Sequence, residues 1–412
     1  MSVEKVETLI VGGGQAGLAM SEQLSKRGLP HLVVERHRIA ERWRSERWDG
    51  LHANGPAWHD RLSGLAIAGV DPDGFATRDQ MVDYFTAYAE RIAAPVRCGV
   101  TVTALHKKPD GTGFRAETSQ GAIEATSVVA ATGPFQRPII PSLVPTQTGP
   151  ETKIVQMHSN AYRNSGQLPD GAVLVIGAGS SGAQIADELS RAGRRVYLSV
   201  GQHQRPPRRY RGRDFGWWFR VQGLWDVPVS DPPARHVTIA VSGAYGGHTI
   251  DFRRLAAHGV TLLGRAAVFA DGVMRFSPDL ASNLAKGDAS YLALLDAADA
   301  YVAREGLDLP EEPAARIVEP DPPCVIDPVL QLNLHDAGIT AIIWATGFTL
   351  DFGWLKVDAF NERGAPVHRR GVAAVPGLYF LGLPWLSRRA SSFIFGVEQD
   401  AAHLADHIAA RT

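Results

Sequence analysis

Cysteine is nearly absent: Cys98 and Cys324 are the two in 412 residues, and they lie far apart in sequence. That excludes a CxxC redox pair and a cysteine-rich metal centre, and no metal site is expected. An excess of charge is also missing, since 42 Lys plus Arg face 43 Asp plus Glu for a net charge of −1. No overall field draws the chain to nucleic acid or anionic lipid, so a charged partner must be met locally. No apolar run approaches the roughly 20 residues needed to cross a bilayer. The opening MSVEKVETLIVGGG enters a strand with no signal-peptide hydrophobic region, so a cytoplasmic protein without a membrane span is expected.

What the chain has is glycine, 42 residues of it, placed with purpose in two stretches. Glu7–Val11 is a short apolar, β-branched run, followed by Gly12, Gly14 and Gly17 in GxGxxG register and a helical pattern through Leu24. His31–Glu35 then reads as a second strand ending in an acid. In such a βαβ unit the first glycine allows the tight turn and the second lets backbone N–H groups approach a pyrophosphate. The third lets helix and strand pack closely. Glu35 accepts hydrogen bonds from a ribose 2′-OH and repels a 2′-phosphate, so this site suits FAD or NAD.

The second unit runs from Ala172–Ile176 through Gly177, Gly179 and Gly182 and a helix to Leu189, then to the strand Arg195–Ser199. No acid follows that strand; Arg205, Arg208 and Arg209 do. Guanidinium groups match a 2′-phosphate in charge and fork geometry, which predicts NADPH at this site with Arg205 and Arg208 as its phosphate contacts. Two nucleotide sites of opposite preference describe a protein that holds a flavin and takes hydride from NADPH.

Ser127–Gly133 is a strand ending in Ala-Thr-Gly, and Ala341–Gly347 repeats it. These read as seams where the chain leaves one domain and returns. The predicted fold is α/β with two Rossmann-like dinucleotide-binding domains. The NADPH domain, 146–329, is inserted in a discontinuous FAD domain made of 1–145 and 330–412. A small antiparallel piece is expected around 100–125. A strand at 377–382 and a helix from Gly396 to Ile408 close the chain, with the helix N-terminus aimed at the flavin.

These features resemble the flavin-containing monooxygenase superfamily, which includes Baeyer–Villiger and YUCCA-type enzymes, along nearly the whole chain. His158 and Tyr162 match the later half of the family's linker signature FxGxxxHxxxY/F, while Thr152 and Ile154 depart from its Phe and Gly. His158 is implied to couple domains, and Tyr162 stands where Baeyer–Villiger enzymes carry Trp. The stretch Arg42–Pro56 is similar to the family segment beside the isoalloxazine. Trp43 is implied on the flavin side, and Asn54 is implied as the catalytic residue between flavin and nicotinamide. The closing stretch 382–391 is most like the short bacterial CzcO-type branch.

The resemblance implies FAD contacts at Gly12, Gly14, Gln15, Ala16, Gly17, Glu35, Arg36, Trp43, Val102, Thr132, Gly133 and Gln399. NADPH contacts are implied at Gly177, Gly179, Ser180, Ser181, Gly182, Arg205, Arg208, Ala345, Thr346 and Gly347. It further implies that a C4a-(hydro)peroxyflavin oxygenates a small organic substrate with O2, with N- or S-oxidation somewhat favoured over Baeyer–Villiger oxidation by Tyr162. The arginine- and aromatic-rich stretch 205–225 is expected to form a wall over substrate through Trp217 and Trp218. A flavoprotein reductase passing electrons to a protein or quinone is the alternative enzyme, and a non-catalytic flavin-binding sensor is the alternative outside catalysis. The partners expected are a small molecule and O2; a homodimer is compatible with the sequence.

Overall fold

A computed structural model describes residues 3–145, 154–230 and 238–411. Strand β1 (Glu4–Val11) leads through Gly12–Gly14 into helix α1 (Gln15–Ser25) and then β2 (His31–Glu35). Leu9 and Ile10 are wholly buried, as a strand covered on both faces requires. Helix α2 (Arg78–Arg91) starts at Thr77, whose hydroxyl accepts from Gln80 N–H while Gln80 Oε1 accepts from Thr77 N–H, a reciprocal cap. Strands β3 (Val96–Cys98), β4 (Val102–Lys107), β5 (Phe114–Thr118) and β6 (Gly121–Ala130) follow. Strand β6 lies parallel to β1 but antiparallel to β5, which is in turn antiparallel to β4. The antiparallel piece is where the sequence placed it.

The chain then crosses to a second sheet with β7 (Val155–His158), β8 (Ala172–Ile176), helix α3 (Ser180–Arg191) and β9 (Val196–Ser199). Helices α4 (Phe215–Val221) and α5 (Phe252–Ala257) precede β10 (Thr261–Leu263), the long helix α6 (Leu280–Glu305) and β11 (Ile339–Trp344). The order β10-β9-β8-β11-β7 is parallel throughout. After Trp344 the chain returns to the first sheet, adding β12 (Leu355–Lys356) beside β4 and β13 (Leu378–Phe380) beside β6. With His368–Arg369 and Val372–Ala373 that sheet has ten strands. Helix α7 (Val397–Ala409) closes the chain against α1.

The return comes later than the expected boundary at 330. Gln331–Asn333 pairs with Val273–Phe276, and β11 lies inside the second sheet between β8 and β7. Residues 331–344 therefore belong with the inserted unit, because β11 supplies the strand beside β8 past whose end the second glycine turn rests. The first boundary, and Thr152 of the linker signature, border or fall within 146–153, outside the described residues. Among the described residues no helix is long and apolar enough to cross a membrane.

The two units interlock. Trp48 and Leu51, from the segment after α1 and β2, are buried in the core of the second unit with Tyr162, Val173 and Ile343. His158 is 2% exposed; its Nε2–H donates to Gly347 O at 2.9 Å, and its Nδ1 accepts from Asn160 N–H at 3.2 Å. Burial lowers its pKa, so the ring is neutral and pins the end of β7 to the return seam.

Candidate functional site

Each glycine turn rests on one of the Ala-Thr-Gly seams. Gly12 has φ +114°, and a Cβ built there lies 2.6 Å from Ala131 O, past the end of β6. Gly177 has φ +105° and meets Ala345 O, past the end of β11, in the same way. Gly17 and Gly182 lie so close to the carbonyls of Gly12 and Gly177 that no side chain fits. These contacts bring each helix down onto its strand. At Gly14, by contrast, a Cβ meets nothing within 4 Å, so its backbone faces open space at the start of α1. That is the form of an anion cradle at a helix N-terminus.

The open space is a cavity of about 700 Å³. Gly12, Gly14, Gln15, Ala16, Glu35, Arg36, Trp43, Val102, Thr132 and Gly133 line it, so ten of the twelve expected FAD positions come together. Gly17 lies beneath, as a packing residue. Glu35 serves its own loop as well: Oε2 accepts from Gly13 N–H at 2.7 Å and Oε1 from His37 N–H at 2.9 Å. Each oxygen keeps a further lone pair for a ribose hydroxyl. The sequence reading missed Arg47, Phe135, Trp354 and Gly382 in the same wall. Arg47 stacks 5.3 Å from the Phe135 ring, and burial lowers its pKa to about 10. Arg47 lies in the Arg42–Pro56 stretch but was not singled out there, and folding brings Phe135, Trp354 and Gly382 in from separate segments.

Gln399 is not part of the cavity. Helix α7 buries Val397, Ala401, Leu404, Ala405 and Ile408 against the first unit, which leaves Gln399 exposed.

The two arginines expected on the 2′-phosphate are committed elsewhere. Arg205 is 4% exposed; its Nε and Nη2 donate to Asp288 Oδ1 at 3.0 and 2.6 Å, and Nη1 lies 3.4 Å from Asp251. Arg208 is 3% exposed and sits between the Phe75 and Phe215 rings. It donates twice to Asp214 Oδ2, at 3.0 and 2.6 Å, and once to Asn54 O at 2.6 Å. A guanidinium held this way cannot turn to a nucleotide without stranding a buried carboxylate. The assignment of Arg205 and Arg208 to phosphate is therefore replaced by a structural one.

Trp218 is a core residue, and Trp217, half-buried, packs against the same cluster. Trp218 is buried with Tyr210, Tyr291, Leu295, Ala298 and Val302, mostly on α6, and its Nε1–H donates to Tyr210 O at 2.9 Å. Trp217 packs edge-on to it at 4.8 Å. Trp218, buried against α6, cannot also face a ligand.

In the second turn, Ser180 Oγ donates to Ile239 O at 2.8 Å. Ala345 packs under Gly182, Thr346 Oγ1 donates to Ile139 O, and Gly347 O accepts from His158. Gly179 caps α3 without a side-chain partner, and Ser181 lies in the helix's first turn.

Asn54 is exposed, outside the large cavity, on a turn fixed from both sides. Ala53 N–H donates to Ala76 O at 2.7 Å, and Gly55 N–H donates to Asp60 Oδ2 at 2.7 Å. Its side-chain Oδ1 accepts from Gln184 Nε2 on α3 at 2.9 Å. The first unit's candidate catalytic amide is thus held by the helix of the second glycine turn. Gln184 was missed because its signal is three-dimensional: nothing in GAGSSGAQIADEL separates it from a surface glutamine.

Arg208→Ala leaves Asp214 buried without its cation, and we expect a loss of about 3–5 kcal/mol in folding stability. Whatever turnover survives should fall in equal proportion with NADPH and with NADH. Urea unfolding and paired steady-state assays check both halves.

A family model described as pyridine nucleotide-disulphide oxidoreductase matches residues 9–211. The chain is 34% identical over 406 residues to a CzcO-like oxidoreductase of Geobacillus kaustophilus, covering 98% of each chain. Among solved structures, a flavin-containing monooxygenase of Stenotrophomonas maltophilia superposes with a TM-score of 0.67 at 20% identity, covering 99% of both chains. A bacillithiol disulfide reductase of Bacillus cereus gives 0.64 at 16% identity, covering 99% of this chain and 100% of its own. With the flavin-monooxygenase fold, two glycine turns seated on Ala-Thr-Gly seams and a full-length relative at this identity, the chain belongs to the CzcO-like oxidoreductases.

Proposed function

We propose that the chain is an FAD-dependent, NADPH-consuming monooxygenase of small organic substrates. The observation that carries the reading is the link between the two units: the helix of the second glycine turn holds Asn54, which belongs to the first. A nucleotide whose pyrophosphate rests on the second turn then has an amide of the flavin-side unit within reach. FAD, when bound, supplies hydride acceptance and oxygen activation. The chain supplies the rest. The Gly12–Gly14 backbone and the start of α1 hold the pyrophosphate, Glu35 takes the ribose, and Trp43 and Arg47 close the wall of the cavity. Asn54 presents hydrogen-bond donors where charge develops on oxygen.

The preference for NADPH passes from Arg205 and Arg208 to Arg265 in this proposal. Arg265 follows β10, and its side chain passes within 3.5 Å of the Cβ position of Gly201, just beyond the end of β9. Its side chain is 59% exposed and pairs with Asp279 through Nε at 2.6 Å, leaving the two terminal nitrogens for a phosphate. An arginine near that strand end is what a 2′-phosphate needs. Arg265→Ala should raise the KM for NADPH about tenfold with little change for NADH; equal changes would remove Arg265 from the site.

N- or S-oxidation is favoured over Baeyer–Villiger oxidation on the resemblance at Tyr162. That residue is itself fully buried, its hydroxyl donating to Glu188 Oε1 at 2.8 Å, so its influence on substrate is indirect. The deciding experiment reduces FAD-loaded protein with NADPH anaerobically and mixes it with oxygen. A flavin spectrum distinct from the oxidised and reduced forms, persisting for seconds and discharged faster by an amine or sulfide than by a ketone, is expected. Direct return to the oxidised spectrum, with or without candidate substrates, would instead support a reductase.

A further inference from the structure

Gln184 is 6% exposed on α3, two residues beyond Gly182, and its amide joins three segments. Its Nε2 lies 2.6 Å from Val241 O and 2.9 Å from Asn54 Oδ1. A backbone carbonyl only accepts, so the atom facing Val241 must be the NH2 of Gln184. The atom of Asn54 that meets the same NH2 must then be its oxygen. Gln184 Oε1 is buried with no partner, which shows that this orientation is held at the expense of an unmet acceptor. The turned alternative is worse, because it would set Oε1 against the Val241 carbonyl. The backbone of Asn54 is already fixed by Arg208 and by the hydrogen bonds of Ala53 and Gly55. Only the side-chain amide is left to be set, and among the described residues no hydrogen bond uses Asn54 Nδ2.

We propose that Gln184 is a positioning residue that locks the Asn54 amide with its NH2 outward, as a donor to the nicotinamide carboxamide oxygen of a bound NADP+. This rests on the reading above that the second turn takes a nicotinamide nucleotide. It makes the donor on the flavin side depend on the helix that binds the nucleotide, so the two units act on one amide.

The test is a double-mutant cycle on NADP+ affinity, measured by calorimetry with FAD-loaded protein. Gln184→Met and Asn54→Ala should each weaken NADP+ about tenfold, the worth of one hydrogen bond, and the double variant should be no weaker than either alone. Gln184→Glu is nearly isosteric and keeps the question answerable if the Met variant folds poorly. Its carboxyl has one proton for the two acceptors that share the Gln184 NH2, Val241 O and Asn54 Oδ1, and none when ionised. Relative to wild type at the same pH, which removes the titration of the NADP+ 2′-phosphate, NADP+ affinity should be weakened about tenfold at pH 8 and recover at pH 5.

Additive losses in the cycle would overturn the proposal, as would a Gln184→Glu variant whose affinity equals the wild type's at every pH. A wild type that binds NADP+ with the predicted cycle but discharges oxygen at once would leave Gln184 in its role and remove the monooxygenase reading. A wild type with no measurable affinity for NADP+ would overturn both.

Discussion

Two helices begin hard against the ends of two parallel strands, and the rest of the molecule depends on that closeness. At Gly17 and Gly182 no side chain fits above the carbonyls of Gly12 and Gly177. Only there can α1 and α3 descend far enough to aim their first N–H groups at a phosphate. The seams under the turns must be small for the same reason, which explains why Ala-Thr-Gly follows both β6 and β11. The chain has built one device twice and joined the copies by Trp48, Leu51 and the Asn54 turn.

The buried charges serve the fold rather than the ligand. Arg208 stands between two aromatic rings, answers Asp214 at the start of α4 and holds the backbone of Asn54. Arg205 gathers Asp288 and Asp251 from α6 and the cap of α5. Removing either partner of such a pair strands the other in low dielectric, so these charges hold the inserted unit together, and the Arg208 bond to Asn54 O ties it to the first. The surface near the end of β9 is left to Arg265, whose terminal nitrogens reach solvent.

Much of this was legible in the sequence, and what was not has a physical reason. The turns, their strands and the seams are local patterns: glycine spacing, β-branched runs and a closing acid at Glu35 carry them without reference to distant residues. The ten cavity positions came from the resemblance that this frame carries. The failures all turned on what a side chain meets across space. Arg205 and Arg208 lie in sequence where phosphate contacts belong, but the acids that neutralise them sit on α6, at the cap of α5 and at the head of α4. Trp217 and Trp218 suggested a wall over substrate because no sequence rule shows α6 arriving to bury Trp218. The boundary at 330 came too early because β11 resembles its twin β6, and resemblance does not say which sheet a strand joins. Gln184 carried no signal at all.

The account stands on the claim that both dinucleotide sites meet at Asn54. A crystal structure with FAD and NADP+ bound tests it directly. The prediction is that Asn54 Nδ2 lies about 3 Å from the nicotinamide carboxamide oxygen, with Gln184 still behind its Oδ1 and the flavin ring on the Trp43 side. A nicotinamide bound out of hydrogen-bond reach of Asn54 would contradict the claim and leave two separate nucleotide sites with no shared centre.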